Sequence, residues 1–513
     1  MPEEIFERIK KNIPPSWKIC FASAMMMGLI AHFYKLTNWL PNWDSLVFRY
    51  DPQNMLSMGR WFLPIVCAPS SFYDLPWLAG LLALLYHALG AVCICKIFRV
   101  QKNTAAAMIG AVVITFPTVT SVLMYNYVAD GYALAFLLAC LAAMFLTSEK
   151  PSYVASVISI TLSVGIYQAY ITVTIMLLLC YLILESLREE ATAASLLVKS
   201  LKLLAAGVLG MSLYYVVMTV CLKITGTELL DYQGISNAMS LSQMNIPGVF
   251  YTIKHSFTDY FFDFSGGVSV FTVLNCILFA VTVVLYLAEI IKQRTSPQKL
   301  LLILVFAIFL PIGASVLAFI NSDVDYHNLM KMGFCVFYLF FILQYEKDDF
   351  SSKKLLAVKS WGILGLCAVL VFSNTVIANV SYHKLGMAYE KSYGTLIRIV
   401  DRIEQTEGAA DCDRLLVLGA LENSEAYSVN LPPDMTGTTD GYILRADDEV
   451  VGQSVLCSAL NDYCGKNYSF VAGPEKTALL KQLDVEKIGV WPASDAIMIV
   501  DDVIVIRLGK EVQ

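Results

Sequence analysis

The chain has 513 residues, 57% of them hydrophobic and only 15% charged, with a formal net charge of −6 and a mean hydropathy of +0.63. A soluble chain of this length could not hide so much apolar surface, so the composition predicts an integral membrane protein. The charge is spread over loops and a polar C-terminal region, which excludes nucleic acid as a partner.

The N-terminus, "MPEEIFERIKKNIPPSWK", is amphipathic, and no small-residue cleavage site follows the first apolar run. It reads as a retained cytoplasmic helix leading into a first span. A crossing helix needs about 20 apolar residues. On that measure eleven spans are expected, near 19–35, 75–97, 104–124, 127–147, 153–165, 167–186, 199–222, 268–291, 298–320, 331–345 and 357–379. The fifth and sixth come from one long run split at "GIYQAY", and the tenth is short. Lysine and arginine concentrate in alternate loops (Lys96/Arg99/Lys102, Lys150, Arg188/Lys199, Lys292/Arg294/Lys299, Lys347/Lys353/Lys354). Those loops face the cytoplasm by the positive-inside rule. The N-terminus is then cytoplasmic, and the first loop, the 225–267 loop, the 321–330 loop and the C-terminal region lie outside the inner (plasma) membrane.

Residues 381–513 change composition. A helix is expected over "AYEKSYGTLIRIVDRIEQ", a buried strand over Arg414–Leu421, and two strands around an Asp501-Asp502 turn. The expected architecture is an all-α polytopic membrane domain, 1–380, followed by a small extracytoplasmic α/β domain, 381–513. Of the 13 cysteines, most stand inside apolar runs as small hydrophobes. Cys457 and Cys464, in the polar region, are near enough in sequence to close a short disulfide. Histidine is scarce, and no zinc spacing such as His-Glu-x-x-His is present.

The first loop, "NWDSLVFRYDPQNMLSMGRWFLP", carries Asp44, Arg49, Asp51 and Arg60 in a chain sparing of charge. Other polar groups expected on the same face are Asp130 near the outer end of the fourth span, Tyr167, Gln168 and Tyr170 between the fifth and sixth, and Asp323, Asp325, His327 and Lys331 between the ninth and tenth. Each has a plainer reading. Asp130 could sit in interfacial water, Arg49 and Arg60 could pair with lipid headgroups, and the tyrosines could form an interface belt. "SDVDY" matches an Asp-x-Asp metal pattern, whose plain reading is a solvated loop. A divalent cation is therefore left open and no metal ligand is assigned.

An outer face has neither nucleotide sugars nor ATP, so the activated sugar available there is one carried on a polyprenyl phosphate. Phosphate leaves readily. The protein then needs one carboxylate to take the acceptor hydroxyl's proton, Asp44 or Asp51, and cations to hold the departing phosphate, drawn from Arg49, Arg60 and Lys331 with His327 beside them. Asp44 is preferred as the base, because Asp51 precedes Pro52 and could shape a turn or pair with Arg60.

"RYDPQNMLSMGRWFLP", "MYNYVADGYALAF", "SVGIYQAY" and the closing "VWPASDAIMIVDDVIVIRL" together resemble the Gtr type-II glucosyltransferases, membrane enzymes of the GT-C class that decorate O-antigens and other surface polymers. The likeness runs from about residue 20 to 510. It implies a GT-C fold, an undecaprenyl- or other polyprenyl-phosphate-linked hexose (glucose) as donor, and an outer-face glycan as acceptor. It places Asp44 or Asp51 as the base, with Arg60 and Asp130 lining the site. The pattern departs near His327-Asn328, where an arginine is expected and only Lys331 stands nearby. The alternative reading is a flippase or transporter of lipid-linked sugars. Such proteins place their sites near the bilayer midplane and often carry inverted repeats; here the charges gather at one face and no repeat is visible. A receptor-like reading ranks behind both, for want of a cytoplasmic output domain.

Overall fold

The computed structural model describes residues 3, 13–41, 44–45, 55–230, 245–264, 268–322, 324, 326–348, 352–419 and 452–509. Backbone packing divides the chain into two units. The first takes Met1–Thr37, Pro52–Asn379 and Asn430–Thr436; the second takes Asn38–Asp51, Val380–Val429 and Gly437–Gln513.

The first unit is helical. It begins with α1 (Pro15–Thr37), the short α2 (Leu63–Cys67), α3 (Pro76–Ile97), α4 (Asn103–Thr115), α5 (Pro117–Met124), α6 (Ala129–Thr147), α7 (Tyr153–Ile166) and α8 (Ile171–Ser186). It continues through α9 (Ala193–Thr225), α10 (Ile246–Phe261), α11 (Val270–Lys292), α12 (Pro297–Ala314), α13 (Cys335–Leu343) and the first part of α14 (Lys353–Glu404). Among the described residues eight helices are long and apolar enough to cross a membrane, or nine if α4 and α5, bent by 41°, form one span. The chain is a membrane protein. The difference from the eleven expected spans lies at Tyr153–Ile166 and Met332–Glu346, which are apolar but shorter.

Local chemistry accounts for the breaks. Pro117 follows Phe116 in an extended conformation (φ −57°, ψ 136°), the geometry a residue before proline prefers, and α4 stops there. At "GIYQAY" the chain is extended at Tyr167 (φ −155°, ψ 119°) before a single 3₁₀ turn, Gln168–Tyr170, so the split falls where the sequence places it. The α1–α4 seam is built from small residues. Cys20, Ala24, Gly28 and Ala31 are buried at near four-residue spacing, which lets backbones approach closely. Ser23 Oγ donates to the Ala107 carbonyl across this seam at 2.9 Å.

The second unit contains a four-stranded sheet in the order β2-β1-β4-β3, from β1 (Arg414–Leu418), β2 (Ser469–Phe470), β3 (Ile497–Val500) and β4 (Val503–Arg507). β1 pairs parallel with β2 and β4, and β3 pairs antiparallel with β4. Leu415, Val417, Ile504 and Ile506 pack with Leu396, Ile399 and Leu460. Leu416, Leu418, Val503 and Val505 pack with Leu479 and Ile488. Covered on both faces, the two central strands need the near-continuous apolar runs that they have. Asp501 and Asp502 both adopt positive φ (48° and 59°), making the expected two-residue hairpin turn.

Two expectations are corrected. The helix expected from 388 is not separate: α14 runs unbroken through the last span to Glu404. Cys457 and Cys464 both lie on α15 (Gly452–Cys464), two helical turns and about 10 Å apart along the axis, beyond disulfide reach. Both thiols are free, and Cys457 Sγ donates instead to the Tyr468 carbonyl at 3.1 Å.

Candidate active site

The segment before α2 folds back on itself in a tight turn. Gly59 N–H donates to Leu56 O at 2.9 Å and Arg60 N–H to Met55 O at 2.8 Å, with Gly59 at φ +75°. Glycine is required here twice over. The left-handed backbone disfavours any side chain, and a Cβ would lie 2.7 Å from Tyr214 Oη and 2.9 Å from Gln168 Nε2. Those two polar groups hold the turn. Gln168 Nε2 donates to the Met58 carbonyl at 2.8 Å and to Tyr214 Oη at 3.1 Å, and Tyr214 Oη donates to the Gly59 carbonyl at 3.0 Å. On the far side of the turn, Phe62 N–H donates to the Gly165 carbonyl at 2.9 Å. Trp61 lies flush on Gly165, where a Cβ would meet the indole at 2.7 Å.

This clamp aims Arg60 into the bundle, where the residue is 8% exposed. Its Nη1 donates to Tyr132 Oη at 3.0 Å, and its Cζ stands 4.7 Å from the centroid of the Tyr167 ring. Tyr132 and Tyr167 stack on each other with centroids 4.7 Å apart, and Tyr170 meets Tyr167 edge-on at 5.9 Å. Cation–π contact contributes about 0.5–2 kcal/mol, the more as water is excluded. The guanidinium is thus held flat by phenol rings while keeping a planar set of donors that matches phosphate or carboxylate. Tyr326 brings a third segment here: its phenol accepts from Ala318 N–H at 3.1 Å, and burial, with the Tyr167 phenol nearby, pushes its pKa up.

The model of the glucosyl transferase GtrII family matches residues 33–343. The chain belongs to that family. No curated protein and no solved structure matches it. Membership makes it a membrane glycosyltransferase, and Arg60 with its tyrosines lies wholly inside the matched region.

The other expected site residues of this GtrII chain divide. Tyr167, Gln168 and Tyr170 join Arg60 as described. Asp130, 3% exposed, lies in the first turn of α6, two residues before Tyr132, and side chains so spaced on a helix do not face each other. Its Oδ1 accepts from Gly131 N–H at 2.9 Å and from Cys67 Sγ at 3.7 Å, so it belongs to a pocket with α2. Burial and the Asp130 carboxylate raise the Cys67 thiol, keeping it a neutral donor. Lys331 Nζ stands 5.4 Å from the centroid of Tyr260, at the edge of an aromatic cluster containing Phe261 and Phe334. His327 opens the 3₁₀ turn Asn328–Met330, whose Asn328 carbonyl accepts from Thr118 Oγ1 at 2.8 Å. Asp44 is half-buried and belongs to the second unit. Arg49, Asp51, Asp323 and Asp325 lie outside the described residues.

Sequence reasoning missed Tyr132, Tyr214 and Gly59. Tyr214 could have been found, since a phenol amid the apolar run "MSLYYVVM" needs a buried partner. Tyr132 had no such signal, standing beside the more conspicuous Asp130.

Proposed function

We propose that this GtrII-family enzyme moves glucose from a polyprenyl-phosphate donor to a glycan or surface polymer at the outer face of the membrane, on a GT-C-type fold. The acceptor hydroxyl oxygen attacks the anomeric carbon, the bond from that carbon to the phosphate oxygen breaks, and the phosphate leaves with the electron pair. A carboxylate, Asp44 or Asp51, takes the hydroxyl proton, a role worth typically 10²–10⁴-fold. Arg60 holds the departing phosphate, assisted by Arg49, Lys331 and His327.

The observation that carries this reading is the Arg60 guanidinium, buried yet fixed in orientation by Tyr132 and Tyr167. A group held in that way stabilises charge developing on a leaving phosphate without having to reorganise. The test is reconstitution of the purified protein with polyprenyl-phosphate glucose and a glycan acceptor, read by mass. The expected result is one added hexose, abolished in Asp44→Asn or in Asp51→Asn. Full transfer by both variants would remove the proposed base. Transbilayer movement of donor with no new glycosidic bond would replace transfer by transport.

A further inference from the structure

At the end of α6 away from Tyr132, about 22 Å along the helix, the first unit holds a cavity of about 550 Å³. It lies among the start of α1, the turn after α3 and the end of α6, and Trp17, Lys96, Arg99, Gln101, Glu149 and Lys150 line it. Lys96 Nζ stands 5.8 Å from the Trp17 ring centroid. Among the described residues none of Lys96, Arg99 and Lys150 is paired with a carboxylate. Their neighbour Lys102 is different: it is engaged by Asp348 at 2.7 Å and by the Tyr345 carbonyl at 2.9 Å. The cavity thus sets three cations without a carboxylate partner beside Glu149, with Glu346 held at its edge by the Gln101 N–H at 3.2 Å, over a floor of buried Cys95, Ile97 and Val100.

The backbone adds an independent observation. Arg99 N–H donates to Lys96 O at 3.2 Å and Val100 N–H to Cys95 O at 2.9 Å, the same pattern that closes the turn at Gly59. There the left-handed position holds glycine; here it holds Arg99, at φ +54°. Glycine is favoured at such a helix end, so the chain keeps a strained arginine where a relaxed residue would serve the fold. The C-termini of α3 and α6 repel anions while the start of α1 attracts them, so the three cationic side chains decide the sign of the cavity. From Trp17, an aromatic suited to a membrane interface, an exposed apolar strip of Ile19, Met26, Ile30 and Phe33 runs along α1.

We infer that this cavity binds the phosphate of an anionic phospholipid in the leaflet at this end of the bundle, with the acyl chains laid along α1. Basic pockets between membrane helices recognise such headgroups. The test is native mass spectrometry of the purified full-length protein, exchanged with phosphatidylglycerol, cardiolipin or phosphatidylcholine. The wild type should retain roughly ten-fold more anionic lipid than phosphatidylcholine, and Lys96→Ala/Arg99→Ala/Lys150→Ala should abolish that preference. Arg99→Gly separates fold from function: it relaxes the turn, so the melting temperature should rise while anionic-lipid retention falls. Unchanged retention in Arg99→Gly would overturn the inference, as would equal retention of both lipid classes by the wild type. Retention that withstands millimolar inorganic phosphate supports a lipid ligand, and displacement by it would overturn the lipid in favour of a free anion.

Discussion

Replacing Gly59 by alanine tests whether the turn before Arg60 is what aims the guanidinium. The left-handed conformation at φ +75° costs a residue with a Cβ about 1–2 kcal/mol. The new carbon would lie 2.7 Å from Tyr214 Oη and 2.9 Å from Gln168 Nε2, so both groups must withdraw. Three hydrogen bonds then weaken, from Gln168 to Met58 and to Tyr214, and from Tyr214 to Gly59, at about 1 kcal/mol each. The total, about 4 kcal/mol, falls on one turn, and it is enough to reduce the correctly placed Arg60 population by 10²–10³-fold. Glucosyl transfer by the purified protein should fall by about that factor, with only a small drop in melting temperature. Tyr214→Phe removes one of the two atoms the new carbon strikes, so Gly59→Ala/Tyr214→Phe should be less impaired than the single changes add up to, with a coupling of about 1 kcal/mol or more. Full activity in Gly59→Ala, or strict additivity in the double-mutant cycle, would refute the reasoning.

Arg60→Lys keeps the charge and loses the planar donor set, so kcat/KM for transfer should fall about 10²-fold with the melting temperature nearly unchanged; an active lysine variant would show that charge alone suffices. Alkylation in denaturant without reductant should find Cys412, Cys457 and Cys464 all free, and a mass for a 457–464 disulfide would contradict the helix that separates them. In the folded protein Cys457 should label slowly at pH 8, because burial pushes its pKa up to about 11 and leaves roughly a thousandth as thiolate. Glu289, 9% exposed, accepts from Gln293 at 3.1 Å, from Gln344 at 3.3 Å and from Lys347. Glu289→Ala should cost about 2–4 kcal/mol by stranding those donors, seen as a lower melting temperature, with Glu289→Gln recovering part of the loss.

Much of the backbone plan was legible because it depends on local chemistry. The break at Tyr167 and the Asp501-Asp502 hairpin are short-range decisions. The first-loop arginine, too, stood out by charge in an apolar chain. Of its partners, Tyr167 was expected on the same face but Tyr132 was not; both lie far away in sequence, and the pattern of a helix shows a face without saying what meets it. Asp130 drew attention as a carboxylate in a span, yet the helix turns it toward Cys67 while the less conspicuous Tyr132 reaches Arg60. The Cys457–Cys464 pairing failed for a related reason: nearness in sequence becomes distance once the segment is helical.

The position of β4 in the second unit has a consequence in time. It lies between β1 and β3, and its parallel partner β1 ends at Leu418. During synthesis the unit cannot close its sheet until residues 503–507 have emerged, and pairing across so long a separation is slow. The membrane helices of the first unit can already be inserted by then. Any frameshift or cleavage that removes β4 takes out an interior strand, exposing an unpaired edge of β1. The sheet of the second unit is therefore the last part of the described structure to close.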